Sequence, residues 1–259
     1  MNSILDIHML NPLLRAFIIG LIPAGLTSLG SLLILLKVNI KEKQMDIGMG
    51  FAAGVMLVAS FTGLLLPAIE AGGVLIALTG FIIGVFLIKI LDKIIPHTHF
   101  VKGYEGPSTM RAALKKAWLI ALAMIIHNIP EGMAVGAMTI LGVTEGLTMA
   151  FAIGLQDIPE GLAVALPIFS TTKSKKKAIL LGSLSGVIEA LTATIPPLIV
   201  SLIGFTLPLV LALAAGAMIY VVTHEIIPDI YGHEHDEPST LGFFIGFLTM
   251  LILDTILNT

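Results

Sequence analysis

Polar residues in this chain are confined to short interruptions between long apolar runs. The hydrocarbon core of a bilayer takes about 20 mostly apolar residues per helix. Eight stretches reach that length, at roughly 11–36, 46–67, 73–91, 112–139, 144–168, 178–202, 205–228 and 240–257. They predict eight transmembrane helices, and hence an all-α integral membrane protein. Residues 1–259 are expected to form one polytopic domain, because no connection is long and polar enough to fold separately. The longest polar connection, 92–111, is expected to be a loop; it carries His97 and His99.

Composition agrees with the pattern. Of 259 residues, 56% are hydrophobic and only 12% charged, against about 25% in soluble domains. Mean hydropathy is +1.02. The 26 glycines suit close packing of membrane helices through small residues. The absence of cysteine excludes disulfides and thiolate metal sites. Met1–Pro12 lacks a basic region and a small-residue cleavage site, so no removable signal is expected and the first span serves as the insertion signal.

Charge supplies an orientation. All of the 14 Lys and Arg residues except Arg15 lie at the connections after spans one, three and five. Cytoplasmic loops carry such an excess, which places both termini on the extracellular or periplasmic side of a cell (plasma or inner) membrane. The seventh connection, with His233, Glu234, His235, Asp236 and Glu237, is then also cytoplasmic; acidic residues weigh little in this rule. A short repeat fits that topology. Span two contains Ala52-Ala53-Gly54-Val55-Met56 and then Pro67; span seven contains Ala214-Ala215-Gly216-Ala217-Met218 and then Pro228. The two spans cross in opposite directions, which predicts an inverted repeat of helices 1–3 and 6–8 around a central pair, 4 and 5, as found in transporters.

The central pair carries related hexapeptides, His127-Asn128-Ile129-Pro130-Glu131-Gly132 and Gln156-Asp157-Ile158-Pro159-Glu160-Gly161. Positions i, i+3 and i+4 share a helix face. Each hexapeptide therefore aims three polar groups at one neighbour: His127, Asn128 and Glu131, then Gln156, Asp157 and Glu160. A charge at the bilayer centre costs about 2.5–3.5 kcal/mol, and clustered carboxylates repel. A divalent cation between the two helices answers both. Pro130 and Pro159 withhold amide donors and are expected to kink the helices and free carbonyls beside these groups.

Other candidates surround the pair. Glu189 is a third carboxylate, mid-span in span six. Met56 offers a soft thioether, though methionine also fills core gaps. His224 and Glu225 lie in the inner half of span seven, and Glu70 and Asp254 near the outer ends of spans two and eight. His97, His99, His233 and His235 are candidates for metal capture on the cytoplasmic side. There is no phosphate-binding Gly-rich loop, so a secondary transporter is expected. Imidazole and oxygen ligands suit Zn²⁺, and also Fe²⁺, Mn²⁺ or Cd²⁺. Two other classes stay open: an intramembrane metalloenzyme, which would want a second histidine where Pro228 follows His224-Glu225, and an ion channel or proton-coupled solute carrier.

The paired hexapeptides, the eight spans and the histidine-bearing third connection resemble the ZIP (Zrt/Irt-like) divalent metal transporters, in particular their prokaryotic branch. The resemblance covers essentially the whole chain. It implies metal influx to the cytoplasm, with the metal as substrate and no cofactor. It implies a first metal position at His127, Glu131, Gln156 and Glu160, with Met56 near it, and a second at Asn128, Asp157 and Glu189, the glutamates bridging. Glu70 and Asp254 would belong to the outer mouth, and His224 and Glu225 to the inner exit. One departure is Gly63, where some relatives carry a small polar residue. The expected partners are divalent metal ions and the lipid bilayer, with a homodimer as the candidate assembly and no nucleic acid.

Overall fold

The computed structural model of the protein describes residues 7–36, 41–99, 103–105, 116–231 and 235–257. Among the described residues, eight helices are long and apolar enough to cross a membrane. They are α1 (Pro12–Leu36), α2 (Glu42–Gly72), α3 (Val74–Ile94), α4 (Lys116–Leu141), α5 (Val143–Thr172), α6 (Lys175–Leu202), α7 (Leu207–Ile230) and α8 (Asp236–Leu257). Several run past the apolar windows that predict them, because polar first and last turns continue a helix beyond the hydrocarbon. Local chemistry sets the ends. Asn11 caps α1, its side chain accepting from Leu14 N at 2.8 Å, with Pro12 ready-set at the first position. Ser174 caps α6 in the same way. Gly73, at φ 77°, makes the sharp turn from α2 to α3, a conformation that side chains with a Cβ resist.

The prolines act unevenly. α4 and α5 continue as α-helix through Pro130 and Pro159. Elsewhere the backbone yields. α6 is interrupted at Ala193–Thr194, and its second part, Ile195–Leu202, opens with Pro196 and Pro197. In α2 and α7 a π-helical segment stands directly before the proline, at Ala59–Leu65 ahead of Pro67 and at Val222–Ile226 ahead of Pro228. There the residue preceding each proline reaches back five positions, Leu66 N to Phe61 O and Ile227 N to Val222 O. The proline ring crowds the carbonyl four residues back, and a widened turn relieves that crowding.

The connection after α3 departs from the expected plain loop. β1 (His97–His99) pairs antiparallel with β2 (Gly103–Glu105), His97 opposite Glu105. β1 lies against α4, and His97 is fully buried. The side chain of His99 and all of His233 fall outside the described residues.

Helix packing falls into two groups. α1 packs on α5 and α6, and α4 also packs on α5 and α6; α2 pairs with α8, and α3 with α7. The groups meet along α4–α7 and α2–α5. Contacts are close enough for backbone to touch backbone. A Cβ on Gly54 would lie 2.1 Å from Phe243 O, and one on Gly246 2.0 Å from Phe51 O, so α2 and α8 interlock through small residues. Large apolar side chains such as Leu75, Phe86, Phe244 and Ile252 are exposed on α3 and α8, as a lipid-facing surface requires. Gly54→Ala is expected to lower the unfolding temperature in detergent, overpacking of this kind costing about 1–3 kcal/mol. Gly25→Ala, where the new Cβ meets nothing within 4 Å, serves as the neutral control in the same melt.

Candidate metal centre

The two hexapeptides face one another across the α4–α5 interface. His127, Asn128, Glu131, Gln156, Asp157 and Glu160 are all buried, His127 being the most exposed at 6%. Glu131, Asp157 and Glu160 each offer a carboxylate oxygen, and these oxygens lie within 4.8 Å of one another. Glu189 joins them from α6 and is fully buried.

Two amides orient this cluster. Gln156 Nε2 donates to Glu131 Oε1 at 2.5 Å, and Asn128 Nδ2 donates to Glu189 Oε1. Turning either amide over would set oxygen against oxygen. With its NH₂ committed to a carboxylate, each amide leaves its carbonyl oxygen without a donor. Seven buried oxygens are left in that condition: Asn128 Oδ1, Glu131 Oε2, Gln156 Oε1, both Asp157 oxygens, Glu160 Oε1 and Glu189 Oε2. Among the described residues no lysine or arginine is buried, so no fixed cation balances these carboxylates. A buried charge without a partner is strongly destabilising, and hard oxygen donors with a nearby imidazole match the ligand preferences of divalent metals.

The last residue of each hexapeptide recruits a further helix. A Cβ on Gly132 would lie 2.3 Å from Glu189 O, and one on Gly161 2.1 Å from Thr27 O. α4 is thus pressed against α6 where Glu189 sits, and α5 against α1. Two hydroxyls of α1 follow. Thr27 Oγ1 lies 3.0 Å from Glu189 Oε1, and Ser31 Oγ donates to Gly161 O at 3.0 Å. Neither hydroxyl stands out in the sequence, since a lone Ser or Thr in an apolar helix carries no distinguishing pattern.

His127 is turned differently from the expected arrangement. Its Nδ1 donates to Ala123 O at 2.8 Å, and its Nε2 faces α7, 3.1 Å from Glu225 Oε2, rather than the carboxylate trio. Glu225 stands in the π segment of α7 and is buried. With Asp92 of α3 and His97 of β1 it forms a second group whose ligand atoms lie within 4.8 Å of one another. His97 Nδ1 is 2.7 Å from Ile95 O, which fixes the ring, and its Nε2 is 3.9 Å from Asp92 Oδ1. Asp92 escapes notice in the sequence because Lys89 and Lys93 flank it, so it reads as part of a charged helix end.

The remaining candidates lie apart from both groups. Met56 is fully buried in the apolar core. His224 is half-buried, its ring 4.8 Å from that of Tyr220. His235 Nδ1 sits 2.8 Å from Asp46 Oδ2, a contact that ties the start of α8 to α2. Glu70 is exposed and Asp254 half-buried, and neither belongs to either carboxylate group. At Gly63 an added Cβ would lie 2.7 Å from Met149 Cε, so a methionine of α5 occupies the space beside this glycine.

Comparison with known proteins points the same way. A family profile described as ZIP zinc transporter matches residues 101–254, which include both hexapeptides, Glu189 and Glu225. The chain is 39% identical over 242 residues to the zinc transporter ZIPB of Bordetella bronchiseptica, covering 90% of this chain and 78% of that protein. It is 33% identical over 245 residues to the zinc transporter GufA of Myxococcus xanthus, covering 91% and 96%. It is 32% identical over 275 residues to the zinc transporter ZupT of Chlorobaculum parvum, covering 96% and 99%.

The clustered carboxylates set a test. Glu160→Gln removes one acid from the group, and the metal-free protein is expected to melt a few degrees higher as repulsion falls. Zn²⁺ at a hundredfold excess over its dissociation constant should stabilise the parent by about 2.7 kcal/mol, and the variant far less. Equal zinc-dependent shifts in the two melts would contradict a role for Glu160 in holding the ion.

Proposed function

The chain belongs to the ZIP zinc transporter family, and from that premise we propose that it carries Zn²⁺, or a related divalent metal, into the cytoplasm as a secondary transporter. The observation that carries this reading is the set of seven buried oxygens that receive no amide or alcohol proton, in a bundle where no lysine or arginine is buried among the described residues. Such an interior is complementary to a cation and to little else.

The site is binuclear in this reading. The first position uses Glu131, Gln156 and Glu160 with His127; the second uses Asn128, Asp157 and Glu189, with the glutamates bridging. The ligands are oxygen and imidazole with no thiolate, which keeps binding weak enough for release. His127 Nε2 and Glu225 Oε2, 3.1 Å apart, share a proton when no metal lies between them. Metal binding requires ligands free of protons, so metal arriving at His127 displaces that proton, and its return favours release.

The inner exit runs from His127 to Glu225 and on to Asp92 and His97, with His224 beside it. The spacing of these groups supports the route: the imidazole that faces Glu225 also stands one helical turn before Glu131. Glu70 and Asp254 serve the outer mouth. Both termini face the extracellular or periplasmic side, on the strength of the charge distribution.

Transport proceeds by alternating access, α1, α4, α5 and α6 moving against α2, α3, α7 and α8. The division follows the packing, which is tight within each set and meets along α4–α7 and α2–α5. The π segments ahead of Pro67 and Pro228 support the inverted-repeat relation of α2 to α7.

Two measurements test the proposal. Glu131→Ala should reduce zinc uptake into proteoliposomes to background; full uptake by that variant would refute the site. Native mass spectrometry should count two zinc ions in the parent and one in Glu189→Ala. An unchanged count would remove Glu189 from the second position.

A further inference from the structure

Glu189 is held by donors from two different helices. Asn128 Nδ2 of α4 and Thr27 Oγ1 of α1 both address Oε1, the hydroxyl from 3.0 Å. Oε2 has no donor. Thr27 is itself only 1% exposed, so water does not compete for its hydroxyl.

That hydroxyl has one proton and two acceptors in reach, since Pro23 O also lies 3.0 Å away. Thr79 and Thr192 make only such bonds within their own helices, the usual habit of a hydroxyl in an apolar helix. Thr27 differs in facing a carboxylate from another helix. Pro23 O already receives the amide of residue 27 in the helical ladder, and an ionised carboxylate is the stronger acceptor. Thr27 therefore donates to Glu189 whenever that group is charged.

The contact is fixed by backbone as well. Gly161 of α5 brings its Cα against Thr27 O, and a Cβ on Gly186 of α6 would lie 3.0 Å from Thr27 Cβ. α1 cannot withdraw the hydroxyl without parting from both α5 and α6, two of the three helices that carry site residues.

From these contacts we propose that Thr27 is a positioning residue of the second metal position. By occupying Oε1 together with Asn128, it fixes the rotation of the Glu189 carboxylate and presents Oε2 to the ion. This makes α1 a working wall of the site, alongside α4, α5 and α6. The inference rests on Glu189 being a metal ligand, as proposed above.

The test is calorimetric titration of the purified protein with Zn²⁺, comparing Thr27→Val, Thr27→Ser and Glu189→Gln with the parent. Valine keeps the shape of threonine and removes the hydroxyl. Residues that orient a metal ligand typically affect affinity by about 10–100-fold, so Thr27→Val should weaken the second binding event by about that factor. The first event should stay within about threefold, and Thr27→Ser, which restores the donor, should return the second to within about threefold of the parent. The metal-free melting temperature of Thr27→Val should match the parent, which separates orientation of the ligand from loss of packing.

Equal weakening in Thr27→Val and Thr27→Ser would overturn the proposal in favour of packing. So would two intact events in Thr27→Val when Glu189→Gln has lost the second. Two intact events in Glu189→Gln would instead overturn the reading of Glu189 as a ligand, and the role of Thr27 with it.

Discussion

Everything near the centre of this molecule answers to an imbalance of charge. Glu131, Asp157, Glu160 and Glu189 are buried together, and among the described residues no lysine or arginine is buried with them. Two unit charges about 4 Å apart repel by about 4 kcal/mol at an effective dielectric of 20. A bundle that keeps several such groups must supply positive charge from elsewhere, as protons or as metal. The amides of Asn128 and Gln156 lessen the conflict without removing it: each satisfies one oxygen of a carboxylate and leaves the other bare.

The geometry that sustains this arrangement is set by residues without side chains. Gly132 and Gly161 close the two hexapeptides, and each admits the backbone of a third helix. The motif thus specifies polar groups at its start and helix approach at its end. The first brings Glu189 of α6 into the cluster; the second brings Thr27 and Ser31 of α1. A larger residue at either glycine would part the helices by more than a hydrogen bond tolerates, so a polar cluster drawn from α4, α5 and α6 and braced by α1 depends on two missing methyl groups.

Much of this was legible in the sequence, for a physical reason. Lipid demands long apolar runs, so eight helices stand out by length alone, and an acid inside such a run is conspicuous. The hexapeptides and Glu189 were visible on that ground. Hydroxyls are tolerated almost anywhere in a membrane helix, so Thr27 and Ser31 were not. Asp92 was masked by the lysines beside it. The direction of His127 could not be read either, because it depends on where a π turn in α7 sets Glu225, and the spacing of α7 to its partners is not written in α4. His97-Thr98-His99 is too short to display strand alternation, so its pairing with Gly103–Glu105 emerged only from the three-dimensional structure. Helix ends were displaced by a few residues where capping groups such as Ser174, rather than hydropathy, decide the boundary.

The bare oxygens have a consequence for what the interior admits. A solute in that space meets lone pairs from Asn128, Glu131, Gln156, Asp157, Glu160 and Glu189, and the nearest N–H and O–H groups are already engaged with those same side chains. An anion such as chloride would meet lone pairs and, from the engaged amides and hydroxyl, no free donor, however well it fitted. On the proposed function, discrimination by sign of charge would then come before ionic radius or coordination number, and the finer choice among cations would be made within a population the lone pairs have already sorted.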